Sequence, residues 1–128
     1  PYPECDAKNL FCRDDKKKNY YLITVKKDKR VDLKAFQQQN NTRRLSFASP
    51  DDLKEILNLI PGSVTPLGLL NDANCQVKFY LDEYFLKDKQ IIGIHPNDNI
   101  ATVWLKVSDL IDIIKENGNE VNIIEIKE

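Results

Sequence analysis

Gly93-Ile94-His95-Pro96-Asn97-Asp98-Asn99-Ile100-Ala101-Thr102-Val103-Trp104 contains the only histidine and the only tryptophan of the chain. A polar, turn-rich run from His95 to Asn99 separates two apolar β-type runs, Gln90 to Ile94 and Ile100 to Val107. Proline and asparagine punctuate strands, so the stretch predicts strand, structured loop, strand. A loop held at both ends by strands is a frequent seat for functional side chains. The plainer alternative is a connector whose histidine caps a strand.

Further strands are predicted upstream. Asn9 to Arg13 and Tyr20 to Val25 are apolar runs on either side of the charged turn Asp14 to Asn19, a hairpin pattern. Asp32 can cap a short helix from Leu33 to about Gln39, with Leu33 and Phe36 inward. Leu45 to Phe47 reads as a short strand. Ser49, Pro50 and Asp52 then form an N-terminal helix signature. Leu53, Ile56, Leu57 and Ile60 follow at i, i+3, i+4 and i+7, which predicts an amphipathic helix ended by Pro61-Gly62. Leu67 to Leu70 and Asp82 to Leu86 each suit one helical turn. Gln76 to Leu81 alternates as a half-buried strand. Ser108 is expected to cap a helix burying Leu110, Ile111, Ile113 and Ile114 and stopped by Asn117-Gly118. Val121, Ile123, Ile124 and Ile126 make a last strand. Strands with scattered helices, rather than regular alternation, imply an α+β fold with a mixed or largely antiparallel sheet.

The length of 128 residues suits one domain. No apolar run is long enough for a membrane span, and no secretory signal is visible. Cys5, Cys12 and Cys75 form no CxxC pair and, with one histidine, make a poor zinc set. An odd number without framework spacing suggests reduced thiols and a cytoplasmic setting. Cys12, in an apolar run, reads as a buried small residue. The net charge of −1 hides an asymmetry. Residues 1–50 carry 12 basic and 6 acidic side chains, and residues 51–128 carry 7 and 14. A basic half can collect phosphates, so an RNA or nucleotide partner is plausible, unless folding interleaves the halves.

There is no dinucleotide fingerprint, P-loop or metal-ligand cluster in the sequence. No nucleophile–base pair stands out either, because sequence cannot set His95 beside a serine or cysteine. The loop Gly62-Ser63-Val64-Thr65-Pro66 is more informative. Glycine lets backbone N–H groups approach a ligand, and such groups can hold a carbonyl or oxyanion. The alternative is an ordinary helix-terminating turn.

Five blocks occur in order: Lys8-Asn9-Leu10-Phe11; Arg30-Val31-Asp32-Leu33-Lys34; Arg44-Leu45-Ser46-Phe47-Ala48-Ser49; Gly62 through Pro66 continuing Leu67-Gly68-Leu69-Leu70-Asn71-Asp72; and His95 to Asn99. In this order they resemble the YbaK/prolyl-tRNA-synthetase-associated domain family, the free-standing aminoacyl-tRNA editing deacylases also called ProX or PrdX. The resemblance covers nearly the whole chain. It implies a mixed, largely antiparallel, barrel-like sheet with flanking helices, and hydrolysis of the ester joining a wrong amino acid to the tRNA 3′ end. The full motif set is most similar to the branch that clears alanine from tRNA for proline. The branch clearing cysteine is the alternative, and a non-catalytic tRNA- or partner-binding module is another.

The resemblance implies that Lys8 is the key lysine, near the ester and the terminal adenosine, with Asn9 beside it. Gly62, Ser63, Val64, Thr65 and Pro66 match a GxxxP loop lining the aminoacyl pocket, and His95 and Asn99 edge that pocket. It implies aminoacyl-tRNA as partner, with prolyl-tRNA synthetase as a further one, and neither DNA, membrane, cofactor nor metal. Leu67 stands where many members have phenylalanine, and Cys12 where leucine is frequent. Members usually carry a helical segment before the lysine block, so residues 1–128 are expected to be a single editing domain lacking its natural N-terminal segment. The chemistry is compatible with such a pocket: an aminoacyl ester is already activated, so placing a water and stabilising the oxyanion suffice. A missing methylene is worth only about 1–3 kcal/mol of discrimination, which is why a second, smaller pocket is needed to remove alanine.

Overall fold

The computed structural model describes residues 3–87, 89–94 and 102–128. The predicted hairpin forms from β1 (Ala7–Asp14) and β2 (Tyr20–Lys26), paired antiparallel from Ala7 opposite Lys26 to Arg13 opposite Tyr20. Asp14 closes its turn. The carboxylate accepts from the Lys18 N–H at 2.9 Å and from the Asn19 side chain at 2.7 Å. Burial works to raise this carboxyl, but these hydrogen bonds outweigh it and hold the group below the ordinary carboxylate range.

Helix α1 (Leu33–Asn40) starts where predicted, with the Asp32 carboxylate accepting from the Ala35 N–H at 3.1 Å. Phe36 carries its buried face. Strand β3 (Leu45–Phe47) pairs antiparallel with Cys12–Asp14 of β1. Helix α2 (Pro50–Asp52) is capped by the Ser49 hydroxyl, which accepts from the Asp52 N–H at 3.1 Å. It widens at once into a π-type turn, Leu53–Leu57. The helix ends earlier than the periodicity predicts. Asn58 turns left-handed at φ 56° and its N–H donates to the Leu53 and Lys54 carbonyls. Asparagine tolerates that conformation, so the stop precedes Pro61. In consequence Leu59 enters the core and Ile60, predicted to be inward, is 60% exposed.

Strand β4 (Val77–Asp82) lies parallel to β2 on one side and to β7 (Val121–Ile124) on the other. The alternating pattern predicts a half-buried strand, yet Tyr80 and Asp82 are buried along with Val77, Phe79 and Leu81. A strand flanked by parallel neighbours is covered on both faces. The five-stranded sheet thus runs β3-β1-β2-β4-β7. Strands β5 (Ile91–Ile94) and β6 (Val103–Lys106) form a separate antiparallel pair, joined to the main sheet by a parallel bridge from Gly93 to Asp6. Helix α3 (Val107–Asn117) begins one residue before Ser108 and without a side-chain cap. It buries Leu110, Ile111 and Ile114, whereas Ile113 faces out. Gly118, at φ 108°, ends it as predicted.

One core joins Phe11, Leu22, Phe79 and Leu81 to the buried side chains of the π-type turn and α3. A second, on the other face, joins Cys12, Ile23, Tyr80 and Phe36. The basic and acidic halves of the sequence interleave: Arg13–Asp52, Lys29–Asp82 and Lys89–Glu4 link one to the other. Among the described residues, no helix is long and apolar enough to cross a membrane.

Candidate functional site

β3 is short and covers β1 only from Cys12 to Asp14. The stretch of β1 that carries Lys8 and Asn9 therefore meets a different neighbour, the loop after Leu59. Asn9 makes the join. Its amide donates to the Val64 carbonyl at 3.2 Å, and its Oδ1 accepts from the Thr24 hydroxyl of β2 at 2.6 Å. Successive strand residues point to opposite faces. A hollow lined by both Lys8 and Asn9 must wrap around the strand margin, and such a hollow is present. Ala7, Lys8, Asn9, Lys27, Gly62 and Val64 line a cleft of about 410 Å³. The Lys8 ammonium donates to the Lys29 carbonyl.

A second, more apolar groove of about 290 Å³ adjoins the first, sharing Asn9, Gly62 and Val64 with it. Phe47, Pro50, Leu53 and Pro61 are among its other walls. Phe47 is 62% exposed, so one side of its ring is open to a ligand in the groove.

The structure divides the Gly62–Pro66 loop into two kinds of residue. Gly62, at φ 92°, and Val64 face the cleft. Ser63 and Thr65 are buried and serve the loop itself. The Ser63 N–H and hydroxyl both donate to the Ile60 carbonyl, at 3.1 and 3.0 Å. The Thr65 hydroxyl accepts from the Leu67 N–H at 3.4 Å, and buried Pro66 opens the 3₁₀ turn Pro66–Asn71. Lys8, Asn9, Gly62 and Val64 therefore come together at one cleft, with Ser63, Thr65 and Pro66 shaping it from behind. His95 and Asn99 lie outside the described residues; the strand that leads to them, β5, is bridged at Gly93 to Asp6.

Sequence reasoning missed Lys27 and Lys29. Counting the hairpin register back from the Asp14–Asn19 turn would have found Lys27, because it brings residues 26 and 27 beside residues 6 and 7, whereas Lys29 lies beyond the paired register. Among the described residues no group of three or more histidine, cysteine, aspartate or glutamate side chains could hold a metal ion.

The family model of the aminoacyl-tRNA editing domain matches residues 3–113. The chain belongs to this family. It is 44% identical over 120 residues to the prolyl-tRNA editing protein ProX of Acetoanaerobium sticklandii, covering 94% of this chain and 73% of that protein. It is 37% identical over 117 residues to the mouse prolyl-tRNA synthetase associated domain-containing protein 1, covering 89% of this chain and 69% of that protein. A crystal structure of a candidate trans-editing enzyme for prolyl-tRNA synthetase superposes with a TM-score of 0.73 at 23% identity, covering 98% of this chain and 71% of that one. That likeness bears on the fold, which is the α+β, mixed-sheet class expected of the editing-domain family.

Proposed function

We propose that this editing domain is a hydrolase acting in trans on mischarged tRNA for proline, and that its preferred substrate carries alanine. The observation that carries the reading is the single cleft shared by Lys8, Asn9, Gly62 and Val64. Its support from kinship is the 44% identity to a prolyl-tRNA editing protein. In the reaction, water adds to the ester carbonyl and the carbon–oxygen bond to the ribose breaks. The ribose oxygen takes up a proton, and the free amino acid leaves. Lys8 supplies positive charge to the ester oxygens or the adjacent nucleotide, where a preorganised cation favours the developing oxyanion. Asn9 fixes the Gly62–Pro66 loop against β1, and the family resemblance assigns His95 and Asn99 to binding the aminoacyl group. The apolar groove beside the cleft suits the terminal adenine base, with Phe47 as its stacking face.

Residues 1–128 act as one domain in this reading, supported by a sheet that draws strands from both halves of the chain. Prolyl-tRNA synthetase is a natural partner for such an activity, and a cytoplasmic setting agrees with three cysteines whose spacing gives no disulfide framework. Release of alanine from Ala-tRNA(Pro), with Pro-tRNA(Pro) as control, tests the activity, and Lys8→Ala should abolish it while the fold persists. No release by the wild-type protein, or near-normal turnover by the variant, overturns the assignment. Seryl and cysteinyl esters in the same assay decide the amino acid. Preferential release of cysteine would move the chain to the alternative branch.

A further inference from the structure

We infer that the Lys29–Asp82 ion pair positions the Lys8 ammonium, so that an aspartate at the end of β4 sets the geometry of the cleft. This rests on the editing reading for its kinetic test and on geometry alone for its spectroscopic one. The acceptor that holds the Lys8 ammonium is a backbone carbonyl, that of Lys29. Lys29 lies in the turn that follows β2, where its N–H donates to the Lys26 carbonyl at 3.0 Å. Lys27 of the same turn is itself a cleft wall.

A surface turn held only by its own backbone drifts. This one has two outside ties: the Lys27 N–H donates to the Asp6 carbonyl at 3.0 Å, and Lys29 itself is held by its side chain, whose Nζ lies 2.6 Å from Asp82 Oδ2. The Asp82 side chain is only 2% exposed and that of Lys29 20%. Asp82 has little freedom. It is in register with Ile124 of β7, and its Oδ1 accepts from the Tyr84 N–H at 3.3 Å. A charge-assisted hydrogen bond to a fixed, buried carboxylate is a strong anchor. The chain of contacts is then continuous: Asp82 holds the Lys29 side chain, which holds the Lys29 carbonyl, which holds Lys8. Buried ion pairs are poor sources of net stability, so a positional role accounts for this one better than a stabilising role does. A misplacement of about 1 Å at a reacting group can cost on the order of a hundredfold in rate.

Lys29→Met keeps the stem and the backbone carbonyl but removes the charge. The expected result is a fall in kcat of roughly tenfold or more with KM nearly unchanged, together with loss of the slowly exchanging ζ-ammonium signal of Lys8 in 15N-resolved spectra. Lys29→Arg, which can still pair with Asp82, should recover most of the kcat and the Lys8 signal. If the stranded Asp82 carboxylate unfolds the single variant, Lys29→Met/Asp82→Leu replaces the pair with apolar groups and is read by the same criteria. A folded variant with wild-type kcat and an intact Lys8 signal overturns the inference, and so does a rise in kcat. A wild-type protein whose Lys8 ammonium exchanges as fast as a free surface lysine overturns it without any variant. Absence of wild-type deacylation would instead defeat the functional reading and leave the spectroscopic test standing.

Discussion

The Asn9 side chain spans the gap between Thr24 and Val64, accepting from the Thr24 hydroxyl at 2.6 Å and donating to the Val64 carbonyl at 3.2 Å. One residue therefore joins the central hairpin to the loop that forms the opposite wall of the cleft. Thr24 is fully buried, so Asn9→Ala strands its hydroxyl. A stranded buried polar group costs about 1–3 kcal/mol. Asn9→Asp keeps the acceptor for Thr24 but turns an oxygen toward the Val64 carbonyl. The alanine variant should lower the urea midpoint. The aspartate variant should retain more stability and lose kcat/KM, because the loop is released. Equal urea midpoints for Asn9→Ala and wild type would show that this bridge holds nothing.

Gly62 poses a separate question, of backbone rather than packing. A Cβ added there meets nothing within 4 Å, yet the residue sits at φ 92°. The cost of Gly62→Ala is therefore conformational, about 1–2 kcal/mol if the loop stays in place. If the loop instead relaxes to a negative φ, stability is retained and the wall opposite Lys8 moves. Measured together, urea midpoint and deacylation should show a loss in at least one. A variant with both unchanged would mean that the left-handed turn is not needed for the cleft.

Much of this architecture is legible in the sequence wherever the cause is local. The Asp14–Asn19 turn, the Asp32 and Ser49 caps and the Gly118 stop each depend on side chains within a few residues, and each forms as predicted. The departures have non-local or competing causes. Asn58 ends a helix that the Leu53–Ile60 spacing extends, since periodicity does not weigh a left-handed asparagine. β4 is buried on both faces because its parallel neighbours come from far along the chain. The site was legible in part. Lys8 and the Gly62 loop share a cleft, but the carbonyl that receives Lys8 and the aspartate behind it are 21 and 74 residues away and leave no pattern near Lys8.

Phe47 offers a test that leaves the fold alone. It is 62% exposed on a three-residue edge strand, so Phe47→Ala should change stability by no more than about 0.5 kcal/mol. Stacking of a base on an aromatic ring is worth about 1–3 kcal/mol. The variant should accordingly raise KM for mischarged tRNA by roughly tenfold or more, with kcat little changed. Phe47→Trp should keep a low KM, and Phe47→Leu, apolar but without a ring face, should resemble the alanine variant. A wild-type KM for Phe47→Ala would remove the adenine base from this groove.

Stability should fall at alkaline pH, for a reason located in the second core. Cys12 is fully buried, and burial pushes its thiol up to about 12. Tyr80, in the same cluster, is also pushed up to about 12, by burial first and then by Glu120 and Tyr21. In the unfolded chain a thiol releases its proton near about 8.5 and a phenol near about 10. Above those values the unfolded state binds fewer protons than the folded one, so rising pH favours unfolding. The stabilisation is complete below about pH 8.5 and drains away as pH climbs toward 12. The urea midpoint should be level from about pH 7 to 8 and decline steadily from about pH 9 to 11. Cys12→Ala removes the earlier-titrating group, so its decline should start later, in the tyrosine range, from whatever midpoint the small cavity leaves. A wild-type midpoint that stays level to about pH 11 would mean that neither buried group is held protonated by the fold.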